Sequence, residues 1–550
     1  MRNGTAKSSP AKKKRTAMEF LREYGQKHKA ELSRIYVLLG LSVLCAILIQ
    51  ERIGIDRFIG SFFIAAIILL IFYRDIKRYK PVYLNDHKML FLLGLLVAGT
   101  LMVGRIFEYL LSGLHRGLFL LGSGAFLYGI PIPMGAMLVT LIFDFHTAII
   151  FSFVISILTG IWLNNPLYTV YAFIGSLTAA FSVIRCKKRS SLLKGGLYVS
   201  SVNVFTAGVL LLFQGNLFAA MAPHTFLFAA MSGIMVSALV SLLLPVIEYV
   251  FTVTTDISLI ELMDLEQPLM HNLMIAAPGT YHHSIIVGNL AETAAEAVGA
   301  NPLLARVTAC YHDIGKIRMP EYFVENQTNS ANRHEKLTPH MSSMILISHV
   351  KEGVEFARQY KLPKQVVDII QQHHGTSLIT FFYQKALEQT KDVLPLQEDY
   401  RYPGPKPQTR VAAIVMMADA VEAASRALDE PTPARISALV DKIINHIFLD
   451  GQIDECELTL KDISEIKKRF TYILTSIFHR RIEYPEVAMK GVQQKGLSET
   501  ASARTAVDKD ATGAVTQGNG NSNKEQPKAD QGKPSDDREG AQESAHPFGS

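Results

Sequence analysis

Apolar residues crowd into blocks between about positions 35 and 251 and thin out beyond them. The blocks run near 35–50, 58–73, 89–111, 117–141, 147–163, 167–184, 197–213 and 225–251, which predicts about eight membrane helices. Several are shorter than the roughly 20 residues that a span needs, so flanking residues complete them. From residue 252 the pattern changes to helical amphipathy, with almost no strand alternation. Asn301 followed by Pro302 starts a helix that Gly315 stops, Thr338 followed by Pro339 starts another, and "PKQVVDIIQQHHG" ends at Gly375. An irregular stretch over 388–409 interrupts this region, and after about 490 the chain turns to Gln, Gly, Ser, Asp and Lys, a composition that predicts disorder. The expected fold class is all-α: a polytopic transmembrane helix bundle, then a cytosolic all-helical domain, then a disordered C-terminal tail. The expected divisions are a basic N-terminal segment over 1–34, the transmembrane region over 35–251, a linker over 252–274, the cytosolic domain over 275–487 and the tail over 488–550.

Charge adds an orientation. The 550-residue chain is 49% hydrophobic and carries a formal net charge of +6, with a mean hydropathy of +0.19. Its positive residues sit mostly in the N-terminal segment and in short loops: "RDIKRYK" (74–80) and "RCKKRSSLLK" (185–194) are dense in them, whereas "LNNPL" (163–167) and "QGNLFAAMAPH" (214–224) have no lysine or arginine. With the N-terminus in the cytoplasm every basic loop falls inside, as the positive-inside rule requires, and an even number of spans returns the chain to the cytoplasm. Both termini are expected there. Membrane topology accounts for the charge, so no DNA or RNA polymer is expected as a partner; the lipid bilayer is. The first apolar run reads as an uncleaved span, because no small-residue cleavage site follows it. Asp144 and His146 read as a solvated turn at an inner loop. Four cysteines without a CxxC pair fit a reducing compartment.

The chemistry is carried by histidines. His312 is the one histidine of seventeen followed directly by aspartate, in "YHDIGK". Around it stand His283 in "TYHHSIIVGNLAE", His349, the pair His373–His374, and Asp419 in "VMMADAVEAASRAL", each on a different predicted helix. Five histidines and two aspartates, without thiolate, suit a pair of first-row divalent cations such as Fe, Mn or Zn. Neighbours on a helix point about 100° apart. His312 and Asp313 therefore take different roles, with Asp313 placed to bridge two ions and His312 to serve one. The same reasoning splits His373 from His374: one is a ligand, the other a weaker ligand or a phosphate contact. Two ions about 3.5–4 Å apart would acidify a shared water and clamp phosphate oxygens. Asp313 is accordingly one candidate catalytic residue. Lys316 is the second, reaching a phosphate oxygen as a point charge, against the alternative of a lysine facing its helix end. Aromatic and basic stretches, "HHGTSLITFFYQK" and "YRYPGPKPQTR", could wall a nucleotide pocket, although core packing is expected for at least two of Phe381, Phe382 and Tyr383.

At these residues the chain resembles the HD-superfamily phosphohydrolases, and more narrowly the bacterial seven-transmembrane HD phosphodiesterases that cleave cyclic di-AMP. The resemblance runs from about residue 74 to 485 and is densest in "APGTYHHSIIVGNLAE", "YHDIGKI", "YFVENQ", "KLTPHMSSMILISHVKEG", "HHGTSLITFFYQKA", "YRYPGPKPQTR" and "ADAVEAASRAL". It implies a dinuclear site, with Mn or Fe as the two divalent ions, that hydrolyses the cyclic dinucleotide to linear pApA. In that arrangement His283, His312, Asp313 and Asp419 hold one metal, and Asp313, His349 and His373 hold the other with His374 beside them. It also implies a multi-pass protein of the bacterial inner (plasma) membrane, its HD domain cytoplasmic. A homo-oligomer is kept as a candidate, with no residue pattern that selects an oligomeric state. Two departures stand out. Only "ERIGIDR" separates the first two spans, where the family usually carries a large extracytoplasmic domain, and "NRHEKL" (332–337) replaces the family's Asn-Pro-His-Asp-Lys-Leu near the expected substrate. The alternatives are cyclic di-GMP hydrolysis, which a "GTSLITFF" in place of Gly-Tyr-Pro after His374 argues against, and a receptor or scaffold with an inactive HD domain.

Overall fold

The computed structural model describes residues 17–50, 54–117, 124–327, 332–389 and 394–478; the tail expected over 488–550 and residues 1–16 of the basic segment lie outside them. The first part of the chain forms α1 (Ala17–Leu48), α2 (Ile55–Tyr79), the single turn α3 (Val82–Asn85), α4 (His87–Gly117), α5 (Pro133–Ile142), α6 (Phe145–Trp162), α7 (Pro166–Ser182), α8 (Ser190–Phe213) and α9 (Ala222–Phe251). Among the described residues seven segments are long and apolar enough to cross a membrane. The chain is a membrane protein. The run expected over 167–184 is α7, whose 17 residues span about 25 Å at 1.5 Å per residue, short of the roughly 30 Å hydrocarbon core. It packs against α5, α6 and α8.

Each outer helix shows one face to the bundle. On α2 the buried residues Ala65, Leu69, Phe72 and Ile76 recur every three or four positions, while Phe63, Ile67, Leu70 and Ile71 are exposed where lipid would lie. Between α8 and α9 the backbones touch: a Cβ on Gly233 would collide with the backbone of Gly196 and Ser200, the close approach that small residues permit in membranes. The segment read as one run over 117–141 is broken. A short 3-10 helix, Ala125–Gly129, precedes α5, and residues 130–132 between them are not helical. Irregular backbone at membrane depth needs internal partners. Here the Tyr171 hydroxyl donates to the Tyr128 carbonyl at 2.8 Å, and the Ser232 hydroxyl donates to that of Ile130 at 3.4 Å.

The second part forms α10 (Asp256–Leu262), α11 (Pro268–Ala276), α12 (Pro278–Ala297), α13 (Pro302–Tyr311), α14 (Pro339–Gln359), α15 (Lys364–Gln372), α16 (Thr380–Gln389), α17 (Arg410–Ser425), α18 (Pro433–Leu449) and α19 (Leu460–Ile477). Among the described residues there is no strand, only an isolated antiparallel bridge between Leu378 and Arg401. Side-chain caps start many of these helices. Asn301 accepts from Leu304 N, Thr338 from Met341 N and Thr409 from Ala412 N, each a contact worth about 1 kcal/mol. The core forms around α17, which is buried without a break from Val411 to Asp419 and is enclosed by α12, α13, α18 and α19.

Residues 252–274 hold α10 and α11, and both pack inward. Leu259, Leu269, Met270 and Leu273 bury with Val307, Tyr311 and Ile314, and the Tyr311 hydroxyl donates to the Leu262 carbonyl at 2.5 Å. On its other side α10 meets the membrane region. Ile257 joins the membrane-region core, and Arg189, just before α8, makes a two-pronged bond to Glu261 at 2.6 and 2.9 Å. Asp144 caps α6 through Thr147 N and accepts from the Tyr83 hydroxyl at 2.9 Å, while His146 pairs with Asp75 at 3.1 Å. The connections at 80–86 and 143–144 therefore meet, and that at 183–189 lies against α10, just past residue 252.

Candidate metal centre

Five helices and one turn bring the seven ligand candidates together. His283 lies in the second turn of α12. His312 is the C-cap of α13, and Asp313 begins the 3-10 turn Ile314–Arg318. His349 sits mid-way along α14, which runs nine residues further than its sequence pattern suggested. His373 caps α15 with His374 next to it, and Asp419 lies within α17. Gly315 is not the helix stop expected of it, because α13 ends at Tyr311. Its place is set by crowding: a Cβ there would collide with the His349 carbonyl and the Gly353 nitrogen. Only glycine lets the "HDIGK" turn lie against α14, and that contact puts Asp313 beside His349.

Asp313 faces two ways. Its Oδ1 is 3.3 Å from His349 Nε2 and 3.7 Å from His373 Nε2; its Oδ2 is 3.2 Å from His312 Nε2 and 3.6 Å from His283 Nε2. Asp419 Oδ1 lies 3.0 Å from His283 Nε2, and His374 Nδ1 lies 3.7 Å from Asp419 Oδ2. Two donor sets result, each with its atoms within 4.8 Å of one another: His283, His312, Asp313 and Asp419, and Asp313, His349, His373 and His374. The rings are aimed by their other nitrogens. Nδ1 of His312 donates to the Ala309 carbonyl at 2.6 Å, that of His373 to Ile370 at 2.7 Å, and that of His349 to Leu346. Each therefore presents Nε2 to the cluster, the tautomer that a metal-binding imidazole needs.

Burial opposes charge on every group here, and the neighbours decide the outcome. His312 is pushed down by burial, but Asp313 and Asp419 outweigh this and lift it to about 10. Burial raises Asp313, yet His312 and Lys316 hold it well below the usual carboxylate range. Burial depresses His349, drives His373 well down with help from the neighbouring rings, and takes His374 to about 3. One set thus offers neutral imidazoles with free lone pairs, and the other offers protons that a cation displaces on binding. His312 Nε2 and both Asp313 oxygens are buried with no hydrogen-bond partner among the described residues. A buried carboxylate held by charges alone, without a hydrogen bond, is costly, and a nitrogen–oxygen donor set of this shape fits divalent cations.

Lys316 lies 2.7 Å from Asp313 Oδ2, as an ion pair without hydrogen-bond geometry, and donates to Glu325 at 2.8 Å. Phe323 lies under its ammonium, 4.9 Å away. Glu325 and Glu422 were not singled out in the sequence. Glu422 accepts from His283 Nδ1 at 2.5 Å and is held by Arg426. The cluster opens into a cavity of about 770 Å³, whose lining includes Phe323, Phe381, Phe382, Tyr402 and Arg426. Tyr402 stacks on His374 with centroids 4.2 Å apart. Phe382 is buried and Tyr383 packs against Tyr400, while Phe381 is exposed. Of "NRHEKL", Asn332 and His334 line the cavity; Arg333 and Glu335 are exposed and do not.

Two family models match the chain: "7TM receptor with intracellular HD hydrolase" over residues 55–255, and "HD domain" over 280–424. The second range contains all seven ligand candidates. The chain is 42% identical to the cyclic-di-AMP phosphodiesterase PgpH of Bacillus subtilis (strain 168) over 371 residues, 66% of this chain and 52% of that protein. It is 36% identical to the protein of the same name in Listeria monocytogenes serotype 1/2a over 447 residues, 80% of this chain and 60% of the relative. The chain thus spans about half to three-fifths of the length of these relatives. It also aligns with the crystal structure of the L. monocytogenes PgpH HD domain in complex with cyclic-di-AMP, at 49% identity, 40% of this chain, 100% of that one and a TM-score of 0.37.

Proposed function

The chain belongs to the family of seven-transmembrane proteins with an intracellular HD hydrolase, and on that footing we propose that it is a membrane-anchored, metal-dependent phosphodiesterase that hydrolyses cyclic di-AMP to linear pApA. The observation that carries this reading is Asp313, with one carboxylate oxygen toward His349 and His373 and the other toward His312 and His283. His283, His312 and Asp419 would hold one divalent ion and His349 and His373 the other, with Asp313 shared and His374 beside the second set; Mn and Fe suit this donor set. When bound, such a pair supplies an acidified water and neutralises charge on the phosphate. The substrate assignment follows the activity named for the two relatives.

The protein's own groups do the positioning. Aromatic faces of Phe323, Phe381 and Tyr402 receive the bases, since stacking tolerates either face of a purine. Lys316 stands at the cavity edge as a fixed positive charge for a phosphate oxygen, its position set by Asp313 and Glu325. Hydrolysis adds one water across one phosphodiester: the bond from phosphorus to the ribose 3′ oxygen breaks, that oxygen takes a proton, and the 5′ phosphate stays. The HD domain faces the cytoplasm, a reading supported by basic loop residue Arg189 lying against α10.

The test uses the full chain in detergent with Mn²⁺ or Fe²⁺, given cyclic di-AMP and cyclic di-GMP side by side. The expected outcome is pApA formation with the adenine substrate preferred. Preference for the guanine substrate would overturn the substrate assignment, and bound metal with no turnover of either would leave a nucleotide receptor.

A further inference from the structure

The four imidazoles that present Nε2 to the cluster are not held in the same way. His312, His349 and His373 each give their Nδ1 proton to a backbone carbonyl three residues earlier on their own helix. Those partners come with the helix and would survive most side-chain changes. His283 has no such partner for Nδ1. Its proton goes to Glu422 Oε2 at 2.5 Å, 139 residues away in sequence. The same ring is gripped at its other nitrogen by Asp419 Oδ1, at 3.0 Å. Both carboxylates come from α17, three residues apart.

Spacing explains the grip. Positions 419, 422 and 426 fall within about 60° of one another around a helix with 3.6 residues per turn, so Asp419, Glu422 and Arg426 share the side that faces His283. Glu422 is itself fixed: Arg426 Nε and Nη2 lie 2.8 and 2.7 Å from its Oε1, the oxygen that His283 does not use. The Glu422 side chain is buried, while that of Arg426 is 40% exposed on the cavity wall. A buried carboxylate beside a surface arginine could be a plain ion pair. That reading leaves the second oxygen unexplained, since an ion pair needs neither the 2.5 Å contact nor a ring whose far nitrogen meets Asp419 and Asp313.

We infer that Glu422, locked by Arg426, is a positioning residue that holds His283 and so sets one of the two ion positions and not the other. The inference rests on the dinuclear reading above. Ring orientation through an outer carboxylate is worth about 10- to 100-fold in metal affinity, and here Glu422 exerts it on one set alone, because His349 and His373 of the other are held by backbone and Glu422 contacts neither.

The experiment is a Mn²⁺ titration of chelator-stripped full chain in detergent, read by calorimetry and elemental analysis, for wild type, Glu422→Ala, Glu422→Gln and Arg426→Ala. Wild type should bind two ions. Glu422→Ala should keep one at wild-type affinity and weaken the other at least about tenfold. Glu422→Gln should weaken that same ion less, because a carboxamide oxygen still accepts the N–H without the charge, and Arg426→Ala should weaken it mildly. Unchanged affinities in both Glu422 variants would overturn the inference. So would equal loss of both ions in Glu422→Gln, which would mark Glu422 as a support of the fold. Wild type that binds two ions without cleaving cyclic di-AMP would sink the substrate reading and leave this one standing on the same titration.

Discussion

At the scale of residues, Asp313 decides whether the centre can hold two ions. Asp313→Ala removes an oxygen from each donor set, so purified variant should contain neither ion by elemental analysis; metal content equal to wild type would refute the bridging role. Lys316→Ala should keep its metal and turn over substrate about 10- to 150-fold more slowly, the range of a charge-assisted contact worth about 1.5–3 kcal/mol. Gly315→Ala drives a methyl into the His349 carbonyl and should lower the melting temperature and metal content together, at a cost of about 1–3 kcal/mol. The clustering of these histidines and aspartates was legible in the sequence because histidine and aspartate pairs are rare enough to notice on predicted helices. Glu422 and Glu325 were not, for a physical reason. Each meets the cluster through another side chain, His283 for Glu422 and Lys316 for Glu325, and a lone glutamate on a helix looks the same whether it meets solvent or an imidazole. The signal that existed was spacing: 419, 422 and 426 fall on one helical side.

At the scale of elements, periodicity gave helix existence better than helix ends. The α14 pattern was read only to Val350, but the helix continues to Gln359, since nothing in "KEGVEFARQ" breaks it except Gly353, which is tolerated there by close packing against Gly315. The break at 130–132 is written in the sequence as Gly129, Pro131 and Pro133, which cannot continue a helix, but hydropathy stays high across them and masks it; what makes the break tolerable, the Tyr171 and Ser232 hydroxyls, lies on other helices. Residues 252–274 were read as a linker from their position between two patterns. Their helices α10 and α11 fill the core beneath the "YHDIGK" turn. Tyr311 links them, its hydroxyl on Leu262 and its neighbours in the metal centre. Tyr311→Phe should lose about 1 kcal/mol, seen as a melting shift of about 2–4 °C with metal stoichiometry unchanged; no shift would mean the bond contributes nothing.

At the scale of the whole molecule, hydropathy blocks gave the membrane region, while loop charge gives an expected side for the second part of the chain. Such signals average over some twenty residues and survive local error. The soluble region in turn concentrates buried charge at its centre: His312, Asp313 and Asp419 within contact of one another. Cations that satisfy this cluster bind the folded chain only, so Mn²⁺ at a hundredfold excess over its Kd should add about 2.7 kcal/mol per site. Chelation should therefore lower the soluble region's melting temperature by several degrees and re-addition restore it; a transition indifferent to chelator would argue against a metal centre. The most direct measurement of the central claim is the rate of pApA formation from cyclic di-AMP as Mn²⁺ is added stepwise to stripped full chain. Two ions held across Asp313 predict little turnover at one equivalent and full turnover at two. Full turnover at one equivalent, or none at two, would contradict it.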